Sequence, residues 1–572
     1  MRCSHLIGVI ALASTTLLAL TNIPTSTASQ VPFTAEYNES PNSAFGDMPR
    51  IELPLYNEDD DIKTQSAKAL NVEQIIAEQN GKHVLLTHEE FPQMSVRIKR
   101  IAGKSATVSQ MNQAPNASPL LYNSSDPNAF CDPTVTSWSG YVDTIDGKSF
   151  FFYFFESRHK PDTDPILMWL TGGPGCSSSL GLFMELGPCQ IMEGSSKDAN
   201  GPPINGTKWN PYSWNSHASV FFIDQPVEVG FSYSRYGLHS YNADQGAKDL
   251  YGFLRIFFSS FERFQDNDFV ATGESYAGRY LPRYASQILD ENHKISFKAE
   301  RAGKKVKKGE LVNLKKVAIG NGLTESGIQK PYYYDFVCKK HNDHGPLVSI
   351  AECNSMAPWK DRCLKLFREK CIETWDPEQC QAVDDVCADR LETPFFKTGR
   401  NPYNVLDLCK AGYSPNLCYQ VTEDIRNYLD REDVRTLLGA EPISKIGKFK
   451  SCNENVASGF SAYHDSTFNN ALSVAGLLER DIDVMIYVGK LDWICNHVGN
   501  RAWVDKLEWS GQTAFHSSKP YDLIVDGKVA GETQRGGNLV WATIEGAGHM
   551  VPYDKPKVAL EMIDRFIAGD KL

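Results

Sequence analysis

The chain has 572 residues, with 58 Lys and Arg against 70 Asp and Glu, a formal charge of −12. Hydrophobic residues at 41% and charged residues at 22% exclude a fibrous or wholly disordered protein, and the acidic balance argues against a nucleic-acid partner. After the first 20 residues no apolar run reaches the length of a membrane span.

Arg2 and His5 precede an apolar stretch from Leu6 to Leu20, and Ser26-Thr27-Ala28 puts small residues at the cleavage-determining positions. Residues 1–28 therefore read as a secretory signal peptide rather than an anchor, because the stretch is short and broken by Ser14, Thr15 and Thr16. Cysteine usage agrees with that route. Loss of Cys3 with the leader leaves thirteen of the 14 cysteines, nine of them between Cys338 and Cys452, and no C-x-x-C pair suggests zinc. An odd count leaves one thiol over. Sequons at Asn38, Asn116, Asn123 and Asn205 could carry glycans in the secretory pathway, with the vacuole, the lysosome or the extracellular space as destination.

From Ser29 to about Asp126 the text is polar and loosely patterned, with an acidic run at 57–61 and Asn, Ser and Pro at 112–128. A flexible arm and a removable propeptide both fit. The propeptide, residues 29–126, is the favoured reading, with Lys99-Arg100 as a candidate processing site.

Beyond Cys131 short apolar runs alternate with longer helical or loop stretches: Phe150–Phe155, Pro165–Leu170, Val220–Ile223, Phe269–Thr272, Leu314–Ile319, Val484–Val488 and Leu539–Thr543. Bounded by Gly, Pro and Asp, they read as buried strands with room for crossover helices. An α/β fold with a mostly parallel sheet is expected, in two core parts, 127–323 and 465–572. Between them, 324–464 holds most cysteines and reads as a disulfide-stapled helical insertion. The basic run from Lys294 to Lys316 is compatible with an arm for anionic partners, but a solvated loop is favoured.

Three residues then follow three of the strands. Phe269–Gly278 is an apolar strand entering a small-residue turn, and a helix-like segment from Arg279 to Leu289 follows, the setting of a nucleophile elbow around Ser275. Ala277 stands where that short motif usually has Gly. Asp492 comes just after the strand at 484–488, and His549 lies in a Gly-rich loop after the strand at 539–543. The order Ser, Asp, His is the order used on α/β-hydrolase sheets: His549 would take the proton of Ser275, and Asp492 would fix its tautomer. Thr171-Gly172-Gly173-Pro174-Gly175 follows another strand, and its backbone N–H groups can approach a substrate oxygen; no Gly-Lys-Ser/Thr marks a phosphate loop.

Trp169 to Ser178, Gly-Glu-Ser-Tyr-Ala-Gly at 273–278, Asp492-Trp-Ile-Cys495-Asn496 and Gly548-His549-Met550-Val551-Pro552 together resemble the serine carboxypeptidases. Trp214-Asn215, Asp224-Gln225-Pro226 and Gly320-Asn321-Gly322 add to the likeness, which runs roughly from Cys131 to Ile567. The resemblance implies an α/β-hydrolase fold and oxyanion N–H groups from Gly173 and Tyr276. It also implies a substrate carboxylate held by Glu185, Glu274 and Trp169, near Thr171 and Gly172. Two carboxyls facing a carboxylate must retain protons to donate, so such a site works in acid. Tyr276, Leu323, Tyr333 and Ile494 would line the pocket before the scissile bond, with Met550 beside the substrate and Cys495 as the unpaired thiol. By the same resemblance Cys176 pairs with Cys452, Cys338 with Cys353, Cys363 with Cys387, Cys371 with Cys380, and Cys409 with Cys418. Cys131 and Cys189, the two that remain, are expected to pair with each other.

One departure stands out: the family usually has Asn where this chain has Thr171, and a hydroxyl offers one donor where an amide offers two. The reading is a serine-type carboxypeptidase acting on peptide and protein C-termini through an acyl-enzyme on Ser275, with no metal or cofactor. An acyltransferase or esterase on the same scaffold, and a catalytically silent binding member, are the rivals; retention of Ser275, Asp492, His549 and Gly173 argues against silence.

Overall fold

Lys148–Phe155 shows why a sheet forms here. Phe150, Phe152 and Phe154 enter one core cluster, while Phe151, Tyr153 and Phe155 enter another, the two-residue period of a strand buried on both faces. The computed structural model describes residues 50–53, 72–79, 81–113, 130–192, 206–339, 345–374, 376–413, 416–467 and 469–572. The leader, Cys3 and all four sequons (Asn38, Asn116, Asn123, Asn205) lie outside the described residues.

In chain order the first strands are β1 (Arg50–Leu53), β2 (Val84–His88), β3 (Met94–Ala102), β4 (Ser137–Thr144), β5 (Lys148–Phe155) and β6 (Ile166–Thr171). Then come β7 (Cys189–Ile191), β8 (Thr207–Trp209), β9 (Ser219–Ile223), β10 (Tyr233–Ser234), β11 (Phe269–Glu274) and β12 (Leu314–Gly320). The last are β13 (Arg400–Asn401), β14 (Asn404–Leu408), β15 (Asp483–Gly489), β16 (Tyr521–Val525), β17 (Lys528–Gly536) and β18 (Leu539–Ile544). The central sheet runs β1-β2-β3-β4-β5-β9-β6-β11-β12-β15-β18-β17-β16, with β10 beside β5. From β9 through β18 every neighbouring pair is parallel. Antiparallel pairs flank this centre on both sides. This is the mixed sheet of the α/β-hydrolase fold, parallel through its centre.

The helices begin with α1 (Val72–Glu78) and α2 (Val108–Gln113); α3 (Ala243–Ser260) and α4 (Ala277–Arg301) then cover one face of the sheet. Asn242 caps α3 by accepting from the Gln245 N–H at 2.9 Å, and its buried residues Ala247, Leu250, Leu254 and Phe257 recur at helical spacing. In α4 the buried residues stop at Ile288, and the remaining turns run on to Arg301. The basic run is therefore not one loop: Lys294–Arg301 is helical, its cations at the favourable end of the helix dipole, and Lys315 and Lys316 belong to β12.

The sheet also reaches into the stretch read as a loosely patterned arm. Val84 and Leu86 on β2 and Val96 and Ile98 on β3 are buried in the same cluster as Phe152. The period was hidden because the opposite face of β3 buries charge instead of apolar groups. Arg97 is held by Asp143 at 2.6 and 3.0 Å and by Glu441 at 3.2 Å, and Lys99 donates to the Thr436 carbonyl at 3.3 Å. Lys99-Arg100 sits inside β3, opposite Ser139 and Trp138 of β4.

The insertion folds as short helices, among them Ile350–Phe367 and Pro377–Leu391, with the small β13–β14 pair. Its core, around Met356, Phe367 and Phe395, also takes in Leu491 and Trp493 from the loop after β15. Disulfides join Cys338 to Cys353, Cys363 to Cys387, Cys371 to Cys380 and Cys409 to Cys418 within it. Cys176–Cys452 ties it to the loop after β6, Cys131–Cys189 closes the core, and Cys495 is free and buried. Among the described residues no helix is long and apolar enough to cross a membrane.

Candidate active site

Parallel strands end together, so the loops after β6, β11, β15 and β18 converge at one edge of the sheet. The loop after β11 is the sharpest. Ser275 holds a φ of 65°, a left-handed conformation that non-glycine residues rarely adopt, and α4 starts two residues later. Two glycines make room for it. A Cβ on Gly273 would lie 2.4 Å from the Leu170 carbonyl oxygen, and one on Gly172 would lie 2.2 Å from the Tyr276 amide nitrogen. The elbow is pinned by the Ser275 N–H on the Gly320 carbonyl at 3.1 Å and by the Leu323 N–H on the Ser275 carbonyl at 2.9 Å. The turn is buried, with Ser275 only 9% exposed.

His549 and Asp492 meet from the next strands. His549 Nδ1 lies 2.8 Å from Asp492 Oδ2, and both side chains are buried. The other ring nitrogen, Nε2, lies 4.0 Å from Glu274 Oε1, so it faces the elbow. Asp492 also accepts from Asn321 Nδ2 at 2.8 Å, the Ile494 N–H at 3.0 Å and the Cys495 N–H at 3.2 Å. Asp492, Cys495 and His549 each offer a potential metal-ligand atom in one cluster. The Asp492 oxygens already hold the donors just named, which leaves a cation poorly served there.

Beside the elbow, Glu274 at the end of β11 faces Glu185 from the helical turn Gly181–Glu185. Burial pushes both carboxyls above their ordinary range, and for Glu274 the Glu185 charge pushes the same way. Two buried carboxyls in contact share protons. Burial also raises Asp554, to about 6, while its Oδ2 accepts the Gly548 N–H at 2.6 Å. Trp169 Nε1 donates to Thr171 Oγ1 at 3.1 Å, beneath Gly172 and Gly173.

The remaining expected residues take structural positions around this centre. Tyr333 donates to the Ile494 carbonyl at 2.7 Å and stacks on Trp493 at 4.5 Å, while Leu323 packs on the main core. Met550 is buried next to His549 in the chain, and the Cys495 thiol is buried, which raises its pKa. Two supporting residues had no assigned role in the sequence reading. Asn321 bridges Asp492 and the Gly489 N–H, at 2.8 and 3.1 Å; the Gly-Asn-Gly run after a strand was its only signal. The Tyr403 backbone carbonyl, from the insertion, accepts the His549 backbone N–H at 2.7 Å, and the Tyr403 ring lies 5.3 Å from the imidazole; nothing local to it in the sequence marks that role.

The description "serine carboxypeptidase" fits residues 127–569 as a family match. Carboxypeptidase Y of Candida albicans is 40% identical over 438 residues, 76% of this chain and 74% of its own length. Carboxypeptidase Y homolog A of Talaromyces stipitatus is 40% identical over 452 residues, 78% of this chain and 75% of its own. Among solved structures, a prohormone-processing carboxypeptidase from Saccharomyces cerevisiae superposes with a TM-score of 0.62 at 23% identity, covering 76% of this chain and 92% of that one, a likeness of fold.

Proposed function

The chain belongs to the serine carboxypeptidase family, and on that premise we propose how its site residues release a C-terminal residue from a peptide. Ser275 Oγ attacks the last peptide carbonyl as His549 Nε2 takes its proton. Asp492, held by its own donors, keeps the Nδ1 proton on the imidazole and stabilises the imidazolium. The tetrahedral oxyanion lies between the Gly173 and Tyr276 N–H groups. His549 returns the proton to the departing amine, and a water then repeats the sequence on the acyl-enzyme.

The observation that carries C-terminal specificity is the buried Glu185–Glu274 contact beside the elbow. A protonated carboxyl donates a hydrogen bond to the substrate's carboxylate, whereas an ionised pair would repel it. Trp169 and Thr171 supply the neighbouring polar groups. The leader would route the chain into the secretory pathway and toward an acidic compartment. Residues 29–126 would be the removable propeptide, with the β2–β3 hairpin the part most firmly packed on the enzyme.

The test pairs two peptides, one with a free C-terminus and one amidated, and follows both by mass spectrometry at mildly acidic pH. Stepwise loss of residues from the free peptide alone is expected. Equal processing of both would overturn the carboxylate role of the glutamates and favour acyl transfer or ester hydrolysis, the reading that Thr171 in place of Asn keeps in view.

A further inference from the structure

We infer that Asp465 is a positioning residue for the oxyanion site, acting through the side chain of Tyr276. The inference rests on the roles proposed above for Ser275 and the Tyr276 N–H. Tyr276 follows the nucleophile and caps α4, so its backbone direction sets where its N–H points. A short helical turn, Asp465–Thr467, immediately after the insertion meets it from far away in the chain. The Tyr276 hydroxyl donates to Asp465 Oδ2 at 2.8 Å, and Asp465 Oδ1 accepts the Ala243 N–H at 3.0 Å at the start of α3.

Two more bonds fasten this segment to the first turn of α4. Arg279 donates to the Asp465 carbonyl and, at 3.2 Å, to the Thr324 carbonyl. Asn470 Nδ2 donates to the Gly278 carbonyl at 2.8 Å, while its own N–H is taken by Glu325 Oε2 at 3.1 Å. Asp465, Arg279 and Asn470 are all buried, at 4%, 2% and 0% exposure. A buried charged network of this kind is strongly destabilising to break and fixes geometry more than it adds stability.

The placement gives the network its consequence. The Tyr276 ring sits between Tyr280 of α4 and Phe460 of the insertion, at 5.3 and 5.9 Å. Apolar ring contacts alone leave it free to slide and turn; the hydroxyl bond to Asp465 does not. Because Ser275 is already held in a rare backbone conformation, small movements of Tyr276 pass directly to the nucleophile and to the N–H beside it. Asp465 thereby ties the insertion's position to the reactivity of the elbow.

The test is a double-mutant cycle in the processed enzyme, with Tyr276→Phe, Asp465→Ala and both together. The readouts are kcat, KM and the rate of acylation by a fluorophosphonate. Each single change should lower kcat and the acylation rate by about tenfold, since small misplacements at a reacting centre are costly, with KM nearly unchanged. The double variant should be no slower than either single one. Asp465→Asn should restore most of the rate, its amide donating to the Tyr276 oxygen in place of accepting from it. Additive losses, a change in KM alone, or Asp465→Asn as slow as Asp465→Ala would overturn the inference. Should Asp465→Ala fail to fold, undiminished acylation of Tyr276→Phe would overturn it instead. A wild-type enzyme that is not acylated at all would sink the proposed mechanism, a result distinct from any of these.

Discussion

Asp492 and Glu274, which pairs with Glu185, are buried carboxyls on opposite ring nitrogens of His549, at 2.8 and 4.0 Å, yet their surroundings are opposite. Four donors converge on Asp492: the His549 ring, the Asn321 amide and two backbone N–H groups, all within 3.2 Å. The glutamates face each other, and Glu185 Oε2 and Glu274 Oε2 have no hydrogen-bond partner among the described residues. Burying a polar group without a partner costs about 1–3 kcal/mol, so the two sites are built for different moments. On the mechanism proposed above, the Asp492–His549 part of the acyl-transfer half has its partners in place without substrate. The proposed carboxylate-reading half keeps unpartnered oxygens, which on that proposal protons and the peptide terminus would fill. The comparison is sharpest where one half can be damaged and the other left working.

The largest effect is expected from Ser275→Ala, which should abolish fluorophosphonate labelling and lower kcat by about a millionfold while free-C-terminus peptides still bind. Labelling that survives would place the nucleophile elsewhere. Asp492→Asn should come next, with a loss in kcat of about ten-thousandfold and KM little changed, because the amide favours the wrong imidazole tautomer. A comparable rise in KM would mean that the two halves are not separable.

The same contrast explains what the sequence made legible. Ser275, Asp492 and His549 each follow a short apolar strand within a few residues, a local signal that survives without knowledge of contacts. Seven strands were marked by such runs, with ends shifted by a residue or two. The β2–β3 hairpin was not, because Arg97 and Lys99 occupy core-facing positions that only their partners in β4 and the insertion make tolerable. The polar tail of α4 read as a loop because charge density masks a helix that buries no residue beyond Ile288. Asn321, Tyr403 and Asp465 meet partners distant in the chain, and apart from the Gly-Asn-Gly run around Asn321, composition and spacing carry no mark of them.

The glutamate pair should govern the pH profile. Both carboxyls are raised above the ordinary 4.5 by burial, so the folded protein holds their protons more tightly than the unfolded chain. Their contribution to stability is therefore full below 4.5 and declines as pH rises through the raised folded values. Substrate binding follows the same direction, because only a protonated carboxyl donates to the peptide carboxylate. For free-C-terminus peptides KM should rise about tenfold per pH unit once the shared proton is lost, a one-proton dependence. Amidated or ester substrates should show no such rise, and their optimum should follow the imidazole instead. Glu274→Gln supplies a permanent donor, so it should flatten the KM profile while fluorophosphonate labelling persists. Superimposed profiles for the two substrate types would show that the pair does not read the terminus.

The smallest effect, and the most diagnostic of this chain's own character, is expected at Thr171. Its hydroxyl accepts from the Trp169 indole at 3.1 Å, and its N–H goes to Ser178 Oγ at 3.2 Å. One hydroxyl proton is then all it can offer to a substrate carboxylate, where an asparagine could accept from the indole and still donate two. Thr171→Asn should lower KM for free-C-terminus peptides by about fivefold, the worth of one further hydrogen bond of about 1 kcal/mol. The carboxylate is bound equally in the ground and transition states, so kcat should not change. Thr171→Val keeps the shape, removes the hydroxyl and strands the indole N–H, so KM should rise instead. Opposite movements of KM at constant kcat would assign Thr171 to the incomplete half of the site. A change in kcat for either variant would mean that the loop after β6 acts on the oxyanion, and that the boundary between the two halves runs through Gly172.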